Sequence, residues 1–426
     1  MSTISWTEHG TRRTGRWHSE NGTPPPARVV VADDRTSAAA ALRLARSGTA
    51  LLWRGDFHNA GNLLRAMGRR LPAPAHATPD DLGAHFHAHR RARARRAALL
   101  GKVVVAVGRG PTGPGPPAPA LRAPSREGKG HKPGAPRPAP WGRCVGGVPP
   151  HHSVRLRRAP DVRAACRHAY GHLAGEPGAA TDTPTVVSLP ELLGVVGAYQ
   201  WHDRGIDIPA LGARIHPAYG VFAPTRGEYI DLVARSPLPP GVDHPVVFDI
   251  GTGTGVLAAV LAQRGAADVR ATDLNPRAVR CARSNLHRLG LDDRVHVTEA
   301  DLWPAVPAHA DLIVCNPPWL PGHPTSALEL GVYDPGSAVL DRFLTGLADH
   351  LTPQGEGWLI LSDLAERLGL RPPDELRARI AAAGLTVVGR AETAPRHPRS
   401  TDRADPFHAA RSRERTVLWR LRPATP

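Results

Sequence analysis

The chain has 426 residues, 41% of them apolar, and a formal net charge of +16, with Gly 43 and Pro 45 together above a fifth of the whole. That length allows two or more domains with cores of their own, while the Gly and Pro content predicts that part of the chain forms none. No uncharged apolar run of about 18 residues occurs, which argues against a membrane helix, and the polar N-terminus has no secretory apolar core, so a cytoplasmic protein is expected.

Cys144, Cys166, Cys281 and Cys315 are scattered without a CxxC pair, which predicts neither disulfide nor structural zinc. His85, His87 and His89 lie in HFHAHRRARARR with no cysteine or carboxylate at ligand spacing, so they read as a solvated helix face and no metal is expected. Positive charge is uneven: residues 1–200 carry 29 basic against 12 acidic side chains, and residues 201–426 carry 25 against 26. A basic half suggests a polyanion such as RNA, but compositional drift toward arginine explains it equally well.

In chain order, residues 1–26 read as a disordered tail. Residues 27–107 read as a small basic α/β domain: ARVVVA and TALLWR as strands, TSAAAALRLARSG and FHNAGNLLRAMGRRL as helices, then a basic helix and the strand KVVVAV. Residues 108–152 are dominated by Pro and Gly and read as a disordered insertion. Residues 153–205 hold two helical patterns and read as a helical connector. Residues 206–426 begin with a hairpin, GIDIPALGARIHPAYGVF, and then alternate strands and helices with short connections. This predicts a doubly wound, Rossmann-like sheet of seven strands, mostly parallel with an antiparallel edge formed by TVVGRAE and TVLWRLR.

Four elements of this last domain carry chemistry. VFDIGTGTG ends a strand at Asp249 and turns through Gly251, Thr252, Gly253 and Gly255 into a helix. Glycines allow a sharp turn, close approach of a ligand and free amides at the helix start. Asp273 ends the next strand, where an acid typically takes ribose hydroxyls. Asp301 and Leu302 close the third strand, placed to flank an adenine ring. Asn316-Pro317-Pro318-Trp319 opens the loop after the fourth, ADLIVC. One such turn is unremarkable in any α/β fold; four in register on the carboxyl edge of consecutive strands mark a ligand site.

From about Ile206 to Arg422 these motifs resemble the class I S-adenosylmethionine-dependent methyltransferases, in the branch with an Asn-Pro-Pro-aromatic motif that methylates amino nitrogens. The resemblance implies S-adenosyl-L-methionine as cofactor, held by Asp249, Gly251, Thr252, Gly253, Gly255, Asp273, Asp301 and Leu302. Arg226 is a candidate for the donor's carboxylate, with Phe222, Pro224 and Thr225 beside it. The catalytic motif is Asn316, Pro317, Pro318 and Trp319: the Asn316 oxygen and Pro317 carbonyl would hold a planar NH₂, and Trp319 would stack on its ring. Tyr333, Asp334 and Pro335 are candidates for the substrate entrance. The favoured substrate is an exocyclic amine of adenine or guanine in RNA, with RNA or other nucleic acid as partner. A protein glutamine, as in release-factor methyltransferases, and a catalytically inactive RNA scaffold stand as alternatives.

Overall fold

The computed structural model describes residues 2–72, 81–108, 161–171, 183–305, 309–326 and 328–424. Its first sheet contains β1 (Thr3–Glu8), β2 (Thr11–Trp17), β3 (Arg28–Ala32), β4 (Thr49–Trp53), β5 (Val103–Val107) and β6 (Thr185–Ser188). Their spatial order is β1-β2-β6-β5-β4-β3. The helices of this half are α1 (Ala38–Arg46), α2 (Phe57–Arg69), α3 (Leu82–Leu100), α4 (Val162–Tyr170) and α5 (Leu189–Arg204). Side-chain caps start all five: Ser37 accepts from the Ala40 amide, Asp56 from His58 and Asn59, Asp81 from Ala84, Asp161 from Ala164, and Ser188 from Glu191.

Two expectations for this half are corrected. Residues 1–26 are not a tail, because β1 and β2 form a hairpin through His9 and Gly10, both at positive φ, and complete the sheet. Alternate positions are buried over part of each strand, with Ile4 and Trp6 of β1 at 4% and 5% exposure and Gly15 and Trp17 of β2 buried, Trp17 at 9%. The intervening Arg and Thr hide this alternation in a composition-based reading. Gly15 allows the close approach, since a Cβ there would sit 2.7 Å from Val186 Cγ2. Nor are residues 153–205 a separate connector: β6, only four residues long, pairs with β2 on one side and β5 on the other, inside the same sheet. The Pro/Gly-rich insertion expected over 108–152 lies, from residue 109 on, outside the described residues.

The second half opens with the hairpin β7 (Ile206–Ile208) and β8 (Ala213–Ile215), followed by α6 (Glu228–Arg235). Then come β9 (Val246–Ile250), α7 (Val256–Gln263), β10 (Asp268–Asp273), α8 (Pro276–Arg288), β11 (Val295–Glu299) and β12 (Ala310–Cys315). After a long loop follow α9 (Ala338–His350), β13 (Leu351–Ser362), α10 (Leu364–Arg367), α11 (Glu375–Ala382) and β14 (Leu385–Thr393). The chain ends with α12 (Pro398–Thr401), α13 (His408–Arg411) and β15 (Thr416–Pro423).

These strands form the expected seven-stranded α/β sheet, in the order β11-β10-β9-β12-β13-β15-β14. The reversed strand is β15, one place in from the edge, antiparallel to both β13 and β14. Strand order reverses beside β9, with β10 on one side and β12 on the other, and such a switch point opens a crevice at the carboxyl ends. Separate apolar cores cover the two faces, one around α7 and α8 and the other around α9 and α11. Among the described residues no helix is long and apolar enough to cross a membrane, and no cluster of His, Cys, Asp or Glu could hold a metal.

Candidate active site

The carboxyl edge of the second sheet gathers the predicted motifs. Gly251, Gly253 and Gly255 all take positive φ, at 71°, 58° and 81°, where a side chain is strained. A Cβ at Gly251 or Gly253 would meet nothing within 4 Å, so the loop borders open space. At Gly255 it would press on the Ala282 Cα at 3.2 Å, so that glycine serves the packing of α7 on α8. The Asp273 carboxylate accepts from the Gly253 amide at 2.9 Å and from the Asn275 amide at 2.8 Å, tying the glycine loop to the end of β10. Burial raises the pKa of Asp273, and the two amide bonds act against that rise.

Three candidates sit differently from expectation. Asp249 is 1% exposed and lies behind the glycine loop, where it accepts from Thr252 Oγ1 at 2.6 Å and the Ala258 amide at 3.1 Å. It braces the loop from within, and burial pushes its pKa up to about 6. Asp301 is exposed and bonded by both Arg342 nitrogens, at 3.0 and 2.9 Å. Arg226 is committed elsewhere: it donates to Glu414 at 2.8 Å and its guanidinium lies 5.3 Å from the Trp319 ring centroid. Leu302 keeps its place after β11 with φ of 71°, and its carbonyl accepts from Thr272 Oγ1 at 2.5 Å.

In the Asn-Pro-Pro-Trp loop the Trp319 indole N–H donates to Asn316 Oδ1 at 2.8 Å. One bond thus fixes both side chains, and two prolines stiffen the backbone between them. Behind Trp319 stands a charged group that sequence reading missed. Glu414 is fully buried and accepts from Arg226 and, at 2.6 Å, from Ser362 Oγ, with His397 Nε2 at 3.5 Å. Burial alone would raise the Glu414 pKa, but His397, Arg226 and Ser362 outweigh it and bring it to about 2. Glu414 reaches this edge because β15 runs backwards, so the residues before it arrive where the parallel strands end. Leu274 was also missed; it follows Asp273 and is 67% exposed, an apolar surface beside the glycine loop.

The loop after Trp319 is held from two sides. Leu320 and Tyr333 are bridged through their backbones, and Arg90 of α3 stacks on the Tyr333 ring at 3.5 Å. Asp334, expected at the entrance, is 2% exposed and accepts from the amides of Val339 and Leu340 at the start of α9. It is a helix-start acceptor, not an entrance residue. Phe222 packs on the same loop, 3.3 Å from the Cβ position of Gly331.

Residues 220–367 match the family described as methyltransferase small domain. The chain is 36% identical over 154 residues to a release factor glutamine methyltransferase of Cereibacter sphaeroides, covering 35% of this chain and 51% of that protein. It is 33% identical over 125 residues to a tRNA1(Val) (adenine(37)-N6)-methyltransferase of Cytophaga hutchinsonii, covering 27% of this chain and 51% of that one. The chain therefore spans about half the length of these two relatives. A solved structure of the ribosomal protein L11 methylase from Lactobacillus delbrueckii subsp. bulgaricus matches 44% of this chain and 73% of its own, at 19% identity and a TM-score of 0.30. The matched segment ends before β14 and β15, so Glu414 and the strand that follows it lie beyond it.

Proposed function

We propose that the chain is an S-adenosyl-L-methionine-dependent N-methyltransferase acting on an exocyclic amine of adenine or guanine in RNA. The observation that carries this reading is the locked Asn316–Trp319 pair on the edge shared with the glycine loop. The residues fit the cofactor: open space at Gly251 and Gly253, a carboxylate at Asp273 and the exposed Leu274 would take its aminoacyl, ribose and adenine parts. When bound, the cofactor supplies an electrophilic sulfonium methyl, so the protein's task is alignment of a nucleophile.

An sp² amide oxygen accepts two hydrogen bonds. The indole N–H uses one at Asn316 Oδ1, and the other is left for an incoming NH₂, with the Pro317 carbonyl as second acceptor. Such acceptors hold the amine in one orientation and stabilise positive charge as it develops on nitrogen. The partly buried Trp319 ring, with Arg226 near it, would give a planar base a surface to stack on. A protein glutamine presents the same planar NH₂, and one of the relatives is named for that substrate.

The deciding experiment is transfer of labelled methyl from S-adenosyl-L-methionine onto total RNA and, in parallel, onto protein extract. Label in RNA that digests to a methylated adenine or guanine supports the proposal, and label only in protein glutamine replaces it. Asn316→Ala should lower the rate by about 10²–10³-fold while cofactor affinity stays unchanged. Full activity in that variant would remove the motif from the mechanism.

A further inference from the structure

The helix α3 joins the two halves of the molecule. Its C-terminal end, Leu99 and Leu100, packs on the core of the first sheet, and Arg96 donates to the Gly68 carbonyl at 2.6 Å. Its N-terminal end is seated in the methyltransferase half. Phe86, 3% exposed, packs in one cluster with Leu320, Leu364, Leu368 and Phe407. Arg90 donates to the His323 carbonyl at 2.7 Å and to Glu329 at 3.0 Å while stacking on Tyr333. Leu320 is the residue after Trp319. The basic helix is therefore built into the wall of the loop that carries the Asn-Pro-Pro-Trp motif.

Between those anchors α3 is charged in one sign only. From Leu82 to Leu100 it contains no acid. Arg91, Arg93 and Arg95 are exposed, Arg91 and Arg95 on one face and Arg93 on the side of His89, and among the described residues they make no hydrogen bond, ion pair or ring contact. Arg91 and Arg95 are four residues apart, a like-charge spacing that destabilises an isolated helix. Some exposed arginines elsewhere are neutralised, as Arg342 is by Asp301 and Arg214 by Asp207. An uncompensated arginine run on a rigid helix fits a polyanion backbone, because each guanidinium can take a phosphate through two parallel bonds.

We propose that Arg91 and Arg95, one turn apart on the same exposed face of α3, form the phosphate-binding surface that docks an RNA strand against the Trp319 loop. This rests on the reading of the substrate as RNA. It assigns the front half a task in substrate placement, with Phe86 and Arg90 fixing the distance between the phosphate contacts and the methylated base.

The test uses the full chain and fluorescein-labelled bulk transfer RNA, with anisotropy titrations over a series of salt concentrations. Wild type is compared with the double variant Arg91→Gln, Arg95→Gln and with the corresponding double Lys variant. Removing two phosphate contacts should make the slope of log K against log salt shallower by about 1–2 and weaken binding roughly tenfold at moderate salt. The Lys variant should keep most of the affinity. KM for a methyl-accepting RNA should rise in the Gln variant with kcat unchanged, and the thermal midpoint should not fall. Unchanged slope and affinity in the Gln variant overturn the proposal, as does binding of an acidic protein, rather than RNA, through these arginines. RNA binding is read without transfer, so the two readings fail separately. RNA bound through α3 but not methylated sinks the substrate assignment alone. RNA methylated by the Gln variant with wild-type KM sinks the docking surface alone.

Discussion

The two sheets share a layout, parallel strands feeding helices at their carboxyl ends, yet only one of them leaves room there. In the first sheet, β3 runs into Asp33-Asp34 and β4 into Arg54-Gly55-Asp56. Asp34 Oδ1 accepts from the Asp56 amide at 3.0 Å and from Asn59 at 3.1 Å, and it lies 2.4 Å from where a Cβ on Gly55 would be. The protein's own carboxylate fills the turn. In the second sheet the corresponding turn is three positive-φ glycines with open space at two of them. An α/β layout thus supplies the place for a site, and loop residues decide whether one exists.

The largest effect should come from the buried group under the open edge. Removing one partner of a buried ion pair leaves the other charge uncompensated, so Glu414→Ala should cost about 3–5 kcal/mol of unfolding free energy in urea titrations. Its pH signature is defined. The folded-state pKa of about 2 lies below the unfolded carboxylate value of 4.5, so this stabilisation is full above pH about 4.5 and fades as pH falls toward 2. The variant should lose that acid-side dependence. A loss below about 1 kcal/mol would show that the Arg226–Glu414 pair contributes little to holding this edge.

Much of this contrast was legible in the sequence, for physical reasons. Strands such as VVFDI and DLIVC are buried on both faces and read as continuous apolar runs, and glycines in a strand-to-helix turn announce positive φ. Asn-Pro-Pro-Trp is conspicuous because two prolines end a strand. Other features depended on neighbours far along the chain. β6 has four residues and means nothing until β2 and β5 flank it. The role expected of Arg226 failed because its partner, Glu414, is 188 residues away and arrives only through the reversed β15. In sequence Glu414 is one acid among arginines in RSRERT, which gave no sign of complete burial.

A sharper contrast comes from adding one methyl group to each turn. Gly253→Ala forces a side chain onto φ of +58°, a strain of roughly 1–2 kcal/mol, and places a Cβ in the open space beside the loop. S-adenosyl-L-methionine affinity, measured by calorimetry, should fall at least about tenfold, equivalent to roughly 1.4 kcal/mol. Gly55→Ala meets Asp34 in the closed turn and should lower the melting temperature with cofactor affinity intact. Equal losses of affinity in both variants would erase the distinction between the two edges.

Asp249 provides a smaller test with the opposite pH sign to Glu414. Burial lifts its folded pKa to about 6 from 3.8, so between those values the folded state holds a proton that the unfolded state has released. Its contribution to stability therefore declines as pH rises from about 4 to about 6, with a slope of at most roughly 1.4 kcal/mol per unit. Asp249→Asn should flatten the stability profile in that window. A profile identical to wild type would mean that Asp249 is ionised behind the loop throughout.

The smallest expected effect is the most direct challenge to the comparison. Asp34 is exposed, and Asp34→Ala removes its two hydrogen bonds from the closed turn. Bonds of this kind are worth about 0.5–1.5 kcal/mol each, so the melting temperature should fall by only a few degrees. Methyl transfer should be untouched, because the turn opens onto no ligand space and the anchors of the front half on the Trp319 loop, Phe86 and Arg90, lie on α3. A tenfold fall in kcat, with cofactor affinity unchanged, would instead place the closed edge of the first sheet in the catalytic cycle. The front half would then act through two surfaces, and plugging of a turn by its own carboxylate would no longer separate an idle edge from a working one.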